Sequence, residues 1–145
     1  MGLSQLIYTS TCVESMTPKM AYQVASQSVS VCLSLGLTGR VFANAKHAFF
    51  VTEGETSVVQ SFYKATEGDV LSAAMCLLSE RKIEKREFWD YSVWLNIADE
   101  CYQSEGVNLL THDSVSDAFP PDLSSRIRIM AEAYLSSEIM GKHAA

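Results

Sequence analysis

Proline, glycine and charge are all sparse in this chain. Three prolines and seven glycines among 145 residues leave no low-complexity linker. With 19% charged and 48% hydrophobic residues, disorder, collagen and coiled coil are excluded as overall descriptions. No CxxC pair occurs: Cys12, Cys32, Cys76 and Cys101 stand far apart. The zinc signal is therefore missing, and the four read as thiols that pack as small hydrophobes in a reducing compartment. His47, His112 and His143 form no HxxxH or HExxH. No phosphate loop and no nucleophile–base–acid grouping is present, so the expectation is that the chain is not an enzyme. No run approaches the ~18–20 uncharged apolar residues of a membrane span. Eleven basic against seventeen acidic residues give a net charge of -6, which makes a phosphate backbone a poor partner. Met1 to Ile7 carries no basic, cleavable signal pattern, so a cytoplasmic location is expected.

What is there is a core large enough to fold without disulfides or metal. Leu3 to Ser10, LSQLIYTS, reads as a strand. Thr17-Pro18 supplies an N-cap and a first-turn proline, and Ala21, Val24, Ala25, Ser28 and Cys32 then recur at helical spacing. Gly36 to Gly39 ends that helix. Arg40–Asn44 and His47–Glu53 read as a hairpin, with Glu53-Gly54-Glu55 as a turn after it. Ser57 with Gln60 suggests a capping box for a helix carrying Val58, Val59, Phe62, Tyr63 and Ala65 and ending near Gly68-Asp69. Ala74–Ser79 reads as a fourth strand and Phe88–Leu95, FWDYSVWL, as a fifth. The charges of Glu80 to Glu87 between them read as a solvated turn.

The order β-α-β-β-α-β plus one strand predicts an α+β, ferredoxin-like sandwich: a five-stranded mixed sheet with two helices on one face. The other face needs a cover. Asn96–Ser104 reads as a short helix, and Pro120-Pro121-Asp122 starts a stripe of Leu123, Ile127, Met130, Ala131, Tyr134, Leu135 and Ile139. Residues 1–95 form one domain in this reading, and 96–145 a C-terminal helical extension packed on it. Part of the stripe is also available as a subunit or partner interface.

LIYTS near the N-terminus, GLTG at Gly36–Gly39, Glu53-Gly54, and Arg86, Phe88, Asp90 and Ser92 in RxFxDxS spacing together resemble the BLUF family of blue-light sensors that hold FAD between two helices. The resemblance spans about Leu3 to Leu95, and the remainder resembles the tail of the short, single-domain members. It implies that Tyr8 is the tyrosine that would donate an electron and a proton to the excited flavin. At the other pocket positions the carry-over fails. The bridging glutamine falls on Phe50, which offers no hydrogen bond. The ring-pairing asparagine falls on Cys32 and its polar neighbour on Val31. The DxRH segment reads Asp69-Val70-Leu71-Ser72, keeping only the aspartate. The WSM motif reads Tyr91-Ser92-Val93, keeping only the serine.

Each buried amide-like edge group left without a partner costs about 1–3 kcal/mol. Three such losses forfeit roughly two to four decades of affinity. Val31, Phe50 and Leu71 are expected to fill the slot as ordinary core. The sequence thus predicts a BLUF-like regulatory or protein-interaction module with no cofactor, FAD being expected from the resemblance alone. The alternative is an FAD-binding photoreceptor with altered contacts. A protein partner and homo-oligomerisation are implied, with neither nucleic acid nor membrane.

Overall fold

A computed structural model describes residues 2–68, 72–97 and 104–140. β1 (Leu3–Cys12) is followed by α1 (Pro18–Ser34), β2 (Thr38–Ala43), β3 (His47–Glu55), α2 (Thr56–Glu67), β4 (Ser72–Ile83), β5 (Tyr91–Leu95), β6 (Val107–Leu109) and α3 (Ser125–Tyr134). The sheet runs β4-β1-β3-β2-β5-β6. β1 pairs antiparallel with both β3 and β4, whereas β2 and β5 run parallel. The ferredoxin-like α+β expectation holds, with six strands rather than five. β6 is three residues long, too short to show any alternation in sequence, and it is seated parallel on β5 through Val93 and Val107.

Local chemistry sets the elements. Thr17 caps α1 by accepting the Met20 amide, with Pro18 at the first helical position, as its sequence predicts. Gly36 takes a left-handed φ of 72° and ends the helix. Other boundaries differ from the sequence reading. Glu53 to Glu55 continue β3 rather than turning, because they pair with Leu3 to Gln5 of β1. The capping box at Ser57 does not form: Glu55 occupies the N-cap with no side-chain bond. Residues 80–83 extend β4, since Leu6, Gln5, Ser4 and Leu3 of β1 supply their backbone partners. The proposed helix at Asn96–Ser104 lies mostly outside the described residues.

Successive strand residues alternate between two cores. Toward α1 and α2 lie Leu6, Tyr8, Val41, Tyr91, Val93 and Leu95. Toward α3 lie Ile7, Phe42, Phe49 and Val51 with Leu123, Ile127, Ala131, Leu135 and Ile139. Cover on both faces explains why β1 is buried almost continuously. The C-terminal stripe is thus spent on the chain's own sheet. It begins at Ser124 as N-cap, two residues later than the Asp122 of the sequence reading, and closes in a π-helical turn over Leu135–Ile139.

Gly39 fixes the β2–β3 crossing. Its φ is 149°, and a Cβ there would lie 1.8 Å from the Val51 carbonyl oxygen. Gly39→Ala should destabilise the fold by on the order of 3 kcal/mol or more in urea unfolding. Truncation after Leu95 strips the cover from Ile7, Phe42, Phe49 and Val51. The shortened chain should lose its cooperative unfolding transition and aggregate, as read by circular dichroism and light scattering.

Candidate functional site

The candidate site lies on the sheet face that carries α1 and α2. Tyr8, on β1, is 0% exposed. The Phe50 ring from β3 stacks on it at 4.6 Å with planes 10° apart, and Tyr63 of α2 meets it edge-on at 4.8 Å. The Tyr8 hydroxyl lies 3.3 Å from Thr52 Oγ1, one strand over on the same face of β3. Burial pushes the Tyr8 phenol well above its usual range, and the Thr52 bond opposes this only in part.

A second polar group sits beside it. Tyr91 of β5 is buried, with its hydroxyl 3.5 Å from Ser28 Oγ of α1. Cys32, one turn along α1, is also buried. Burial pushes its thiol up to about 11, while bonding to Tyr91 and Ser28 pulls the other way. The Tyr91 phenol is raised well above its ordinary value by burial and by the neighbouring Cys32 and Tyr8. All three acids are neutral at pH 7. Cys32 is therefore a poor nucleophile. His47 lies on the α3 side of β3, with Nδ1 3.3 Å from Thr11 Oγ1, and offers Cys32 no base.

The remaining space between the helices is a half-open cleft of about 110 Å³. Ala21, Ala25, Ser28, Ala48, Phe50 and Val93 are among the residues around it. That is less than the roughly 150 Å³ cavity that accepts a benzene ring.

The sequence-selected positions thus divide. Tyr8, Cys32, Phe50, Tyr91 and Val93 converge on one face. Val31 does not fill the slot: it is 41% exposed, because it lies one position off the buried Ala21–Ala25–Val29–Cys32 stripe of α1. Ser92 turns to the α3 face, where it accepts a bond from Trp94 Nε1 at 3.0 Å. Asp69 and Leu71 lie outside the described residues, and Ser72 opens β4 opposite Cys12. Trp89 precedes β5 and is exposed rather than sharing a strand face with Tyr91. Thr52 and Tyr63 were not singled out by the sequence reading as site residues. Thr52 could have been found from the two-residue period of β3, which places it beside Phe50. Tyr63 had only its helical periodicity, which is the signal of ordinary core.

Apart from Tyr8 and Ser92, most of the residues that carried the resemblance lie elsewhere, at the end of the sheet where α3 begins. Glu53 is a fully buried carboxylate. It accepts from Gln5 Nε2 at 2.9 Å, Thr38 Oγ1 at 3.2 Å, the Glu87 amide at 2.9 Å and the Phe88 amide at 3.1 Å. Arg86 donates to the Gly36 carbonyl at 2.9 Å and to Thr38 Oγ1 at 3.0 Å. Buried Arg40 pairs with Asp90 at 2.6 Å and donates through Nε to the Ala118 carbonyl at 2.9 Å.

This fold and these motifs define a sensory-domain class, and the comparisons agree. The family model described as sensors of blue-light using FAD matches residues 3–94. The chain belongs to the BLUF family. Among solved structures it is similar to Klebsiella pneumoniae BlrP1 in a calcium and cyclic-diGMP complex, at 19% identity and a TM-score of 0.71 over 93% of this chain. It spans only 34% of that protein. It is also similar to the BLUF domain of BlrP1, at 20% identity and TM-score 0.65, covering 94% of this chain and 91% of that one. The dark-state BLUF protein BlrB matches at 23% identity and TM-score 0.58, over 66% of this chain and 73% of its own. No curated protein matches the chain.

The three buried acids give a definite alkaline response. Folding raises the Cys32 pKa from 9.0 to about 11, and the phenols of Tyr8 and Tyr91 rise from 10.0. Above pH 9 the unfolded chain releases these protons and the folded chain retains them. The associated stability is therefore complete below pH 9 and lost as pH climbs through 11. Urea unfolding from pH 7 to 11 should show this fall, and Cys32→Ala should remove the portion that begins near pH 9.

Proposed function

We propose that this chain is a BLUF-family module that acts through protein contact and does not use flavin photochemistry. One observation carries the reading: the Phe50 ring lies flat against Tyr8. That side chain occupies the place where a bridging amide would be needed, and it can neither donate nor accept. The small cleft beside it supports the same conclusion. An isoalloxazine ring has polar edges that need partners when buried. Alanine, valine and Phe50 supply about half of the residues around this space, and its one side-chain amide, Asn44, already donates to the Glu138 and Ile139 carbonyls, so the set does not fit the group.

The reading extends to a cytoplasmic, non-enzymatic protein that works by binding a partner or a second copy. Among the described residues no helix is long and apolar enough to cross a membrane, and no group of His, Cys, Asp or Glu could hold a metal ion. Among the described residues, α3 and β6 complete the sheet and second core built by 1–95, which supports reading the C-terminal extension as packed on the same domain.

The absorption spectrum of the purified protein, before and after incubation with excess FAD, tests this. Less than about one-tenth equivalent of flavin per chain is expected, with no light-induced spectral change. Flavin near one per chain, with a light-induced change abolished by Tyr8→Phe, would establish the photoreceptor alternative instead.

A further inference from the structure

The cleft between α1 and α2 departs from the charge of the chain around it. Seventeen Asp and Glu outnumber eleven Lys and Arg over the whole sequence, yet the described residues around the cleft include Lys46 and no carboxylate. Lys46 stands in the turn between β2 and β3. Its backbone is pinned on both sides: the amide donates to Asn44 Oδ1 at 2.9 Å, and the carbonyl accepts from the Cys12 amide at 2.8 Å. Its side chain is exposed, and among the described residues the ion pairs are made by Arg40 and Arg81 instead.

Ser10 supplies a second polar group. It follows Leu6 and Tyr8 on the cleft side of β1 at the two-residue strand period, opposite Ala48 of β3. It is 9% exposed, and its hydroxyl makes no hydrogen bond among the described residues. Buried hydroxyls are normally paired, and this one borders a cavity. Lys46 lies two residues before Ala48, so it is a diagonal neighbour of Ser10 across the β1–β3 pair, within reach of a long side chain. The two define one polar end. Asn44, Ser28 and His47 are already turned to Glu138, Tyr91 and Thr11. Most of the remaining wall is aliphatic, with Ala21 and Ala25 from α1 and Val93 and Leu95 from β5.

We propose that this cleft binds a small aliphatic monocarboxylate. The carboxylate accepts from the Ser10 hydroxyl and the Lys46 ammonium, and the alkyl chain lies against Ala21, Ala25 and Val93. A cavity of roughly 150 Å³ takes the six carbons of benzene, so 110 Å³ takes an acid of about four. The inference rests on the flavin-free reading above, because flavin needs the same space, and it gives the module a ligand of another class.

The test titrates butyrate into the full chain and reads backbone-amide shifts by NMR, with acetate, butyramide and inorganic phosphate as comparisons. Butyrate should saturate, binding about tenfold tighter than acetate, the worth of two buried methylenes. It should bind at least tenfold tighter than butyramide, which lacks the charge, and than phosphate, which lacks the chain. Ser10→Ala and Lys46→Gln should each weaken butyrate at least fivefold without lowering the melting temperature, since neither side chain bonds to the fold. Lys46→Gln should leave butyramide unchanged. No saturation by tens of millimolar butyrate overturns the proposal. Equal binding of any comparison compound overturns it too, as does an affinity that survives both substitutions. Flavin is read from the visible absorbance of the same sample. A flavin-loaded chain overturns the flavin-free reading and this inference together, whereas a flavin-free chain that ignores butyrate overturns this inference alone.

Discussion

The end of the sheet next to α3 is organised by one buried carboxylate. Glu53 is fully buried, and among the described residues its oxygens are met by two backbone amides, an amide side chain and a hydroxyl rather than by a cation. A carboxylate in a protein interior is tolerated only when its lone pairs are filled. Removing donors from such a group costs about 3–5 kcal/mol. Because its donors come from β1, β2 and the connection before β5, it locks three separate pieces of chain into one register. Gln5 passes the arrangement on through Arg81 to Glu87, and Glu87 holds the first turn of α3 through the Ser124 amide. The helix covering the second core is thereby tied to the same centre.

This explains why the chain is legible as a family member from residues that do not face the space between α1 and α2. Gly39, Glu53, Arg86, Phe88 and Asp90 are constrained by backbone. Gly39 leaves no room for a Cβ, Glu53 and Arg86 bond main-chain groups, and Asp90 neutralises a buried arginine. None of these roles depends on what lies between α1 and α2. Phe50, Cys32 and Tyr91 face the other way, and their requirement is only that the space be filled and its few polar atoms satisfied. An amide can be replaced there by a ring without disturbing the register set by Glu53.

The same division sets what the sequence disclosed. Elements with strong local signals, such as α1 from Thr17 and β1 with its Leu6-Ile7-Tyr8 run, could be read directly because local chemistry and tertiary packing agree. The short β6 could not, since three residues contain no period. The charges at 80–87 suggested a solvated turn; what the pattern hid was that β1 has free backbone for residues 80–83 and that Glu53 waits for the amides of 87 and 88. Val31 was misplaced by one helical position, a 100° rotation that carries a side chain from core to solvent. Cys32, Phe50, Tyr91 and Val93 share the face of Tyr8, but the stacking of Phe50 and the edge of Tyr63 required three-dimensional register.

The outward face of the β4–β5 connection follows from its inward one. Phe88 enters the core and Asp90 reaches Arg40, and the bend between them leaves Trp89 exposed. Any side chain placed there is displayed, whatever its chemistry. A polar residue would be neutral in such a position, whereas burying a tryptophan elsewhere would have gained about 2–3 kcal/mol. The chain therefore forgoes burial at Trp89, as it does at Val13 and Ile129, where its own structure leaves a large apolar side chain displayed.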